Sequence, residues 1–211
     1  VSLADVGPYF KEVVKSLLFE LTDSQKRVVE EVHRDLKKTE SMNRLLQGDV
    51  GSGKTIVAIL ISVMAIGNNV QVAVMAPTEI LARQHYQSFK KLLDKVKIPI
   101  AILLGNMKKV PRNSVLNGLE KGKISLVVGT HALIQEDVKM KKLGLVIIDE
   151  QHRFGVNQRL SLIKKGWNPH FLAMTATPIP RTLSITYYGD MDLSIIDEMP
   201  KDRIPVPTKI I

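Results

Sequence analysis

The densest chemistry in this chain lies in eight consecutive residues: Gly48, Asp49, Val50, Gly51, Ser52, Gly53, Lys54 and Thr55. They fit the pattern G-x-x-x-x-G-K-[ST], in which a loop wraps a polyphosphate so closely that successive backbone N–H groups point at its oxygens. Gly48, Gly51 and Gly53 carry no Cβ to block that approach and tolerate positive φ. Lys54 brings a mobile charge to the β- and γ-phosphates, and Thr55 brings a hydroxyl suited to Mg²⁺. A second constellation follows an apolar run, Leu145-Val146-Ile147-Ile148, which ends in Asp149 and Glu150. A carboxylate beside a phosphate loop suits Mg²⁺, which assigns Asp149. A second one facing the γ-phosphate can take a proton from an attacking water, which assigns Glu150. After them come Gln151 and His152; His152 reads either as a catalytic or sensor group or as a polar loop residue. Thr175 and Thr177, in Thr175-Ala176-Thr177-Pro178, read either as hydroxyls relaying phosphate state or as a capped turn. Gln25 stands three residues after Thr22, the spacing of a capping box, and is equally placed to read an adenine edge.

These residues need elements to hold them. Leu45-Leu46 reads as the end of a strand entering the phosphate loop, and Ile56 to Ile66 as the helix leaving it, with free N-terminal donors and a positive dipole end facing the anion. Strand and helix then alternate: strands at Val70–Ala76, Ile100–Leu104, Ser125–Val128, Leu145–Ile148 and Phe171–Met174, with helices at Glu79–Val96, Pro111–Leu119 and Arg181–Tyr188. The long helix places Leu81, His85, Phe89, Leu92 and Val96 on one face. A helix opens at Thr22 with Val28, Val32 and Leu36 on one face. The pattern predicts an α/β fold with a mostly parallel central sheet, helices on both faces and ligands at the carboxyl ends of the strands. Pro8 to Phe19 reads as a further helix, either a connector to an upstream domain or a brace on this one. Pro200, Pro205 and Pro207 make the tail from Met199 to Ile211 a linker.

At 211 residues, 45% hydrophobic and 24% charged, the chain has the composition of one sizeable soluble α/β domain. A formal charge of +9 suggests a polyanionic partner, with a lysine-rich solvated surface as the plainer account. The absence of Cys excludes disulfides and thiolate metal sites. The longest apolar run falls short of the ~20 residues a membrane span needs, and no signal peptide is visible, so the expected compartment is the cytoplasm and no membrane partner is expected. Trp167 reads as a loop anchor, most of the eight Met residues as core fillers, and His33 and His170 carry no metal spacing.

Taken together, Gln25, the phosphate loop, Ala76-Pro77-Thr78-Glu79, Gly129-Thr130-His131, Asp149-Glu150-Gln151-His152 and Thr175-Ala176-Thr177 resemble the successive motifs of superfamily 2 helicases. The longer runs LLQGDVGSGKT, MAPTEILARQH, VVGTHALIQ, DEQHRFGVNQR and MTATPIPRTL resemble the RecG family of bacterial branched-DNA translocases, across about Leu21 to Arg203. HRFGV and TATPIPRTL are also shared with transcription-repair coupling factors; Ser52, Glu79-Ile80-Leu81 and Gln151 favour the RecG family. The resemblance implies a P-loop RecA-like domain that binds ATP and Mg²⁺. By that resemblance Gln25 contacts adenine, and Gly48 to Thr55 hold the phosphates, Thr55 and Asp149 serving the metal. Lys54, Asp149, Glu150, Gln151 and His152 are catalytic. Pro77, Thr78, Gly105, Lys108, Lys109, Thr130 and His131 lie along a DNA backbone; the family more often has a small hydroxyl residue where this chain has Asn106. Arg153, Phe154, Thr175 and Thr177 couple hydrolysis to movement, with a surface salt bridge and a core Phe as the plain readings of Arg153 and Phe154. It also implies a connector at 1–20, the ATP-binding domain at 21–198 and a linker at 199–211, leading to a second RecA-like domain that supplies an arginine finger, with a wedge domain upstream. The expected partner is branched or duplex DNA read without sequence preference, and the expected state a monomer. A nucleotide-gated DNA-binding module that never turns over is the second reading, separated from the motor by whether the second domain restores turnover; a small-molecule kinase fits poorly, lacking an acceptor-binding segment and leaving the TATP and GTHAL runs unexplained.

Overall fold

The computed structural model describes residues 3, 6–177 and 191–200. The strand entering the phosphate loop, β1 (Asn43–Gly48), is followed by β2 (Gln71–Met75), β3 (Ile100–Leu103), β4 (Leu126–Gly129), β5 (Leu143–Asp149), β6 (His170–Thr175) and β7 (Asp192–Ile196). They form one sheet in the order β3-β4-β2-β5-β6-β1-β7, and every pairing is parallel. Side chains alternate across a strand, so successive residues feed opposite cores. Val72, Val74, Leu145 and Ile147 pack on one face; Ala73, Met75, Val146 and Ile148 pack on the other. With both faces covered, the central strands β2, β4 and β5 are near-continuous apolar runs, whereas β1 and β7 carry polar residues.

The first face carries α1 (Pro8–Lys15), α2 (Asp23–Leu36), α3 (Lys54–Gly67) and α4 (Glu79–Leu93). Every residue of α3 from Ile56 to Ile66 is buried, so this helix has no polar side to turn to water and has to be enclosed. The sheet encloses it from one side and α1, α2 and α4 from the other. α1 ends at Lys15 rather than continuing to Phe19, and Leu18 is 90% exposed. What remains of its stripe braces α3: Val13 is fully buried, and an ideal Cβ on Gly7 would stand 2.9 Å from the Cα of Gly67. A buried ionic group ties α2 to the sheet. Arg44 of β1 reaches Asp35 at 2.6 Å and Ser194 at 2.8 Å, and the Ser194 hydroxyl donates to Glu31. The second face carries α5 (Lys109–Glu120) and α6 (Val156–Ile163) through Leu119 and Leu162.

The expected fold is the one found, with a sheet that is parallel in all its described pairings. Two elements go beyond the expectation: α6 after the Asp149-Glu150 segment, and β7, which pairs with β1 on its outer side. The expected helix Arg181–Tyr188 and the tail from Lys201 lie outside the described residues. Trp167 is no anchor, being 90% exposed. Met42, Met64, Met75 and Met174 do fill the core. Among the described residues no helix is long and apolar enough to cross a membrane.

Candidate active site

The loop from Gly48 to Thr55 joins the carboxyl end of β1 to the first residues of α3. Gly51 and Gly53 hold φ of +84° and +90°, a region that side chains rarely adopt. At Gly53 the reason is also steric, since an ideal Cβ would lie 2.3 Å from Gln25 Nε2. Gln25 is almost fully buried and does two jobs at once. Its Oε1 accepts the Thr22 N–H at 3.0 Å while its own N–H donates to Thr22 Oγ1 at 3.2 Å, completing the capping box of α2. Its Nε2 donates to Ser52 O at 2.8 Å, which pins the phosphate loop to that helix. One N–H and one oxygen lone pair are left for a base edge.

Lys54 folds back on its own loop, its Nζ donating to Gly48 O at 2.6 Å and Asp49 O at 3.0 Å. Burial pulls its pKa below the ordinary lysine value, against the opposing charges of Asp149, Glu150 and Asp49. Ser52 Oγ is buried without a hydrogen-bond partner among the described residues.

Asp149 ends β5 and faces the same space. Its Oδ1 accepts the Glu150 N–H at 3.0 Å, and its Oδ2 is 2.7 Å from His85 Nε2. Glu150 takes a left-handed conformation, φ +48° and ψ +52°, unusual for a side chain with a Cβ and a mark of a constrained site. Its Oε2 is buried with no hydrogen bond; the nearest ring nitrogen, His152 Nδ1, is 3.4 Å away, a contact that becomes an ion pair when that ring is protonated. Gln151 is buried, with Nε2 4.0 Å from Met191 Sδ and an unpartnered Oε1. At the end of β6, the Thr175 and Thr177 hydroxyls are 2.8 Å apart and the Thr177 N–H donates to Thr175 Oγ1. That is the capped turn, and both hydroxyls sit one strand away from Asp149. Arg153 is exposed, whereas Phe154 packs against the second core.

Between these groups lies a cavity of about 540 Å³, lined by Gly51, Lys54, Thr55, His85, Asp149 and Glu150 among others. Its size suits a nucleotide. Among the described residues no three His, Asp or Glu side chains form a metal cage. A hydroxyl and a carboxylate on one cavity wall, Thr55 and Asp149, fit Mg²⁺, which keeps waters and phosphate oxygens for the rest of its shell.

A second row of groups occupies the same edge of the sheet. Pro77 and Thr78 follow β2, Gly105 follows β3, and Thr130 and His131 follow β4, and these three strands are neighbours. The loops touch: Asn106 Nδ2 donates to Glu79 Oε2 at 2.9 Å, and His131 Nε2 stands 3.3 Å from where a Cβ on Gly105 would be. Thr78 caps α4, its Oγ1 accepting the Leu81 N–H at 3.2 Å. Lys108 and Lys109 are exposed at the start of α5, and His131 is exposed, whereas Thr130 is buried with its hydroxyl unpartnered.

His85 escaped the sequence reading, which placed it among the apolar residues of α4. The available signal was a polar ring on an otherwise apolar helical face, and nothing in the spacing named Asp149 as its partner.

The chain matches the model of the DEAD/DEAH box helicase family over residues 22–185. It is 52% identical over 204 residues to the ATP-dependent DNA helicase RecG of Aquifex aeolicus (strain VF5), a match covering 96% of this chain and 26% of that protein. The RecG of Bacillus subtilis (strain 168) is 53% identical over 195 residues, covering 92% and 29%. A solved structure of RecG bound to a three-way DNA junction superposes with a TM-score of 0.82 at 48% identity, covering 93% of this chain and 26% of that one. The DNA-bound helicase MrfA shares the fold, with a TM-score of 0.68 at 19% identity over 92% of this chain and 30% of that one. The chain thus spans about a quarter of the length of the RecG proteins it matches.

Proposed function

The chain belongs to the DEAD/DEAH box helicase family, and from that membership we propose that it is the ATP-binding half of a RecG-like translocase on branched or duplex DNA, serving fork rescue, recombination and repair in the cytoplasm. The observation that carries the reading is the arrangement of one sheet edge. A nucleotide-sized cavity with Lys54, Thr55, Asp149 and Glu150 on its walls shares that edge with a row of three loops, of which the one after β3 touches the other two. RecG relatives at about half identity over nearly all of this chain support the same assignment.

In this reading the loop N–H groups and Lys54 bind the phosphates of ATP. Gln25 holds the loop and offers its remaining donor and lone pair to adenine. Thr55 and Asp149 would hold Mg²⁺, which neutralises phosphate charge when bound. Glu150, with an unpartnered carboxylate oxygen, takes the proton of the attacking water, and Gln151 and His152 face the terminal phosphate. Thr175, Thr177, Arg153 and Phe154 transmit nucleotide state. Pro77, Thr78, Gly105, Lys108, Lys109, the Thr130 backbone and His131 follow a DNA backbone. Residues 1–20 lead from an upstream wedge domain, 21–198 form this motor half, and 199–211 lead to a second RecA-like domain that closes the ATP site and supplies an arginine, a contribution of ~10³ or more in phosphoryl transfer. The working unit is a monomer.

Steady-state ATP turnover tests this, measured with and without a three-way DNA junction, before and after adding the downstream domain. Turnover that needs both the second domain and DNA is expected. Robust, DNA-independent turnover by this chain alone would overturn the split site.

A further inference from the structure

We infer that His85 is a positioning residue for Asp149, fixing the carboxylate in the orientation in which it serves nucleotide-bound Mg²⁺; the inference rests on the reading of Asp149 given above. Among the described residues each oxygen of that carboxylate has one protein donor. Oδ1 takes the Glu150 N–H at 3.0 Å, a bond within the chain turn itself, and Oδ2 takes His85 Nε2 at 2.7 Å, from 64 residues away. The short distance is that of a charge-assisted hydrogen bond, with the ring N–H donating to the carboxylate. Both residues are largely buried, 7% and 8% exposed, with their remaining surface on the cavity.

The ring is held where it is by packing. One turn to either side of it on α4, Ala82 and Phe89 are fully buried against the core, so α4 cannot roll without opening the first face of the sheet. A residue needed only to fill this helical position would be Leu or Met. Histidine instead places a directional donor on the oxygen that the Glu150 N–H does not reach. Removing such a donor behind a ligating carboxylate commonly weakens metal binding 10- to 100-fold.

The test is a titration of this chain with a fluorescent N-methylanthraniloyl ADP, in Mg²⁺ and in EDTA, for the wild type, His85→Ala, His85→Gln and Asp149→Asn. The expected result is that His85→Ala loses roughly 10-fold or more in affinity in Mg²⁺ and little in EDTA. His85→Gln, whose amide nitrogen stands near the place of the ring Nε2, should recover most of the loss. Equal losses with and without Mg²⁺ would make His85 a packing residue and overturn the inference. Wild-type Mg²⁺ affinity in His85→Ala, with Asp149→Asn impaired, would overturn it while leaving the reading of Asp149 standing. Unchanged Mg²⁺ affinity in Asp149→Asn would remove that reading itself.

Discussion

Replacing Gly53 by Ala should destabilise the domain by an amount that depends on whether Gln25 is present. Two separate costs arise at this position. At φ +90° any Cβ is strained, at roughly 1–2 kcal/mol. The new Cβ would also lie 2.3 Å from Gln25 Nε2, so the amide has to leave. Gln25 is buried and its amide holds both Ser52 O and the Thr22 N–H, and displacing it gives up those hydrogen bonds at about 0.5–1.5 kcal/mol each. Gly53→Ala alone should therefore lose about 2–5 kcal/mol, which for a domain of this size lowers Tm by roughly 4–20 °C. In a Gln25→Ala background the amide is already gone and only the backbone strain remains, about 1–2 kcal/mol. The assay is a double-mutant cycle by thermal or urea unfolding of the two single variants and the double variant. A coupling of about 1–3 kcal/mol is expected, the worth of the two displaced hydrogen bonds. Strict additivity, with Gly53→Ala costing the same in both backgrounds, would refute the contact as the reason for glycine here.

Lys54→Ala should abolish nucleotide binding, since the variant keeps the loop but lacks the charge; an unchanged ATP titration would contradict the phosphate assignment. Burial pushes the Asp35 carboxyl up, but hydrogen bonds from Lys38 and Arg44 outweigh it and hold the group below its ordinary value. A depressed folded pKa contributes stability above the unfolded value near 3.8 that is lost as pH falls through the folded one. Tm measured between pH 5 and pH 2 should therefore fall more steeply for the wild type than for Asp35→Asn. If the three-loop row follows a phosphate backbone, DNA affinity should drop steeply with salt and differ little between sequences; a strong preference for one duplex sequence in competition would count against it.

Most of the sheet was legible because its strands are continuous apolar runs bounded by loops, and the phosphate loop because its residue types are set by local backbone chemistry. β7 was not legible. Asp192-Leu193-Ser194-Ile195-Ile196 is an outer strand that alternates polar and apolar residues, with Ser194 and Ile196 buried, and its Ser194 meets Arg44 across 150 residues. α6 offers little pattern, with Leu162 as its one fully buried residue, and is started by the Gly155 N–H on Gln158 Oε1. His85 shows the limit most clearly: helical spacing assigned its face correctly, and only the third dimension supplied the carboxylate opposite. At Gln25 the capping box of the spacing is present, and the same side chain also holds Ser52 O, a contact that the spacing did not name.

The strand order also sets when this site can come into being. β1 lies between β6 and β7 alone, with Asn43 opposite Phe171 and Gly48 opposite Ile196. A chain leaving the ribosome at ~15 residues per second would carry the finished loop sequence for about eight seconds before either neighbour of its strand existed. Meanwhile β2, β3, β4 and β5, whose described partners lie among one another until β6 arrives, can assemble first. The phosphate loop is therefore early in sequence, whereas both strands that flank its own are made late.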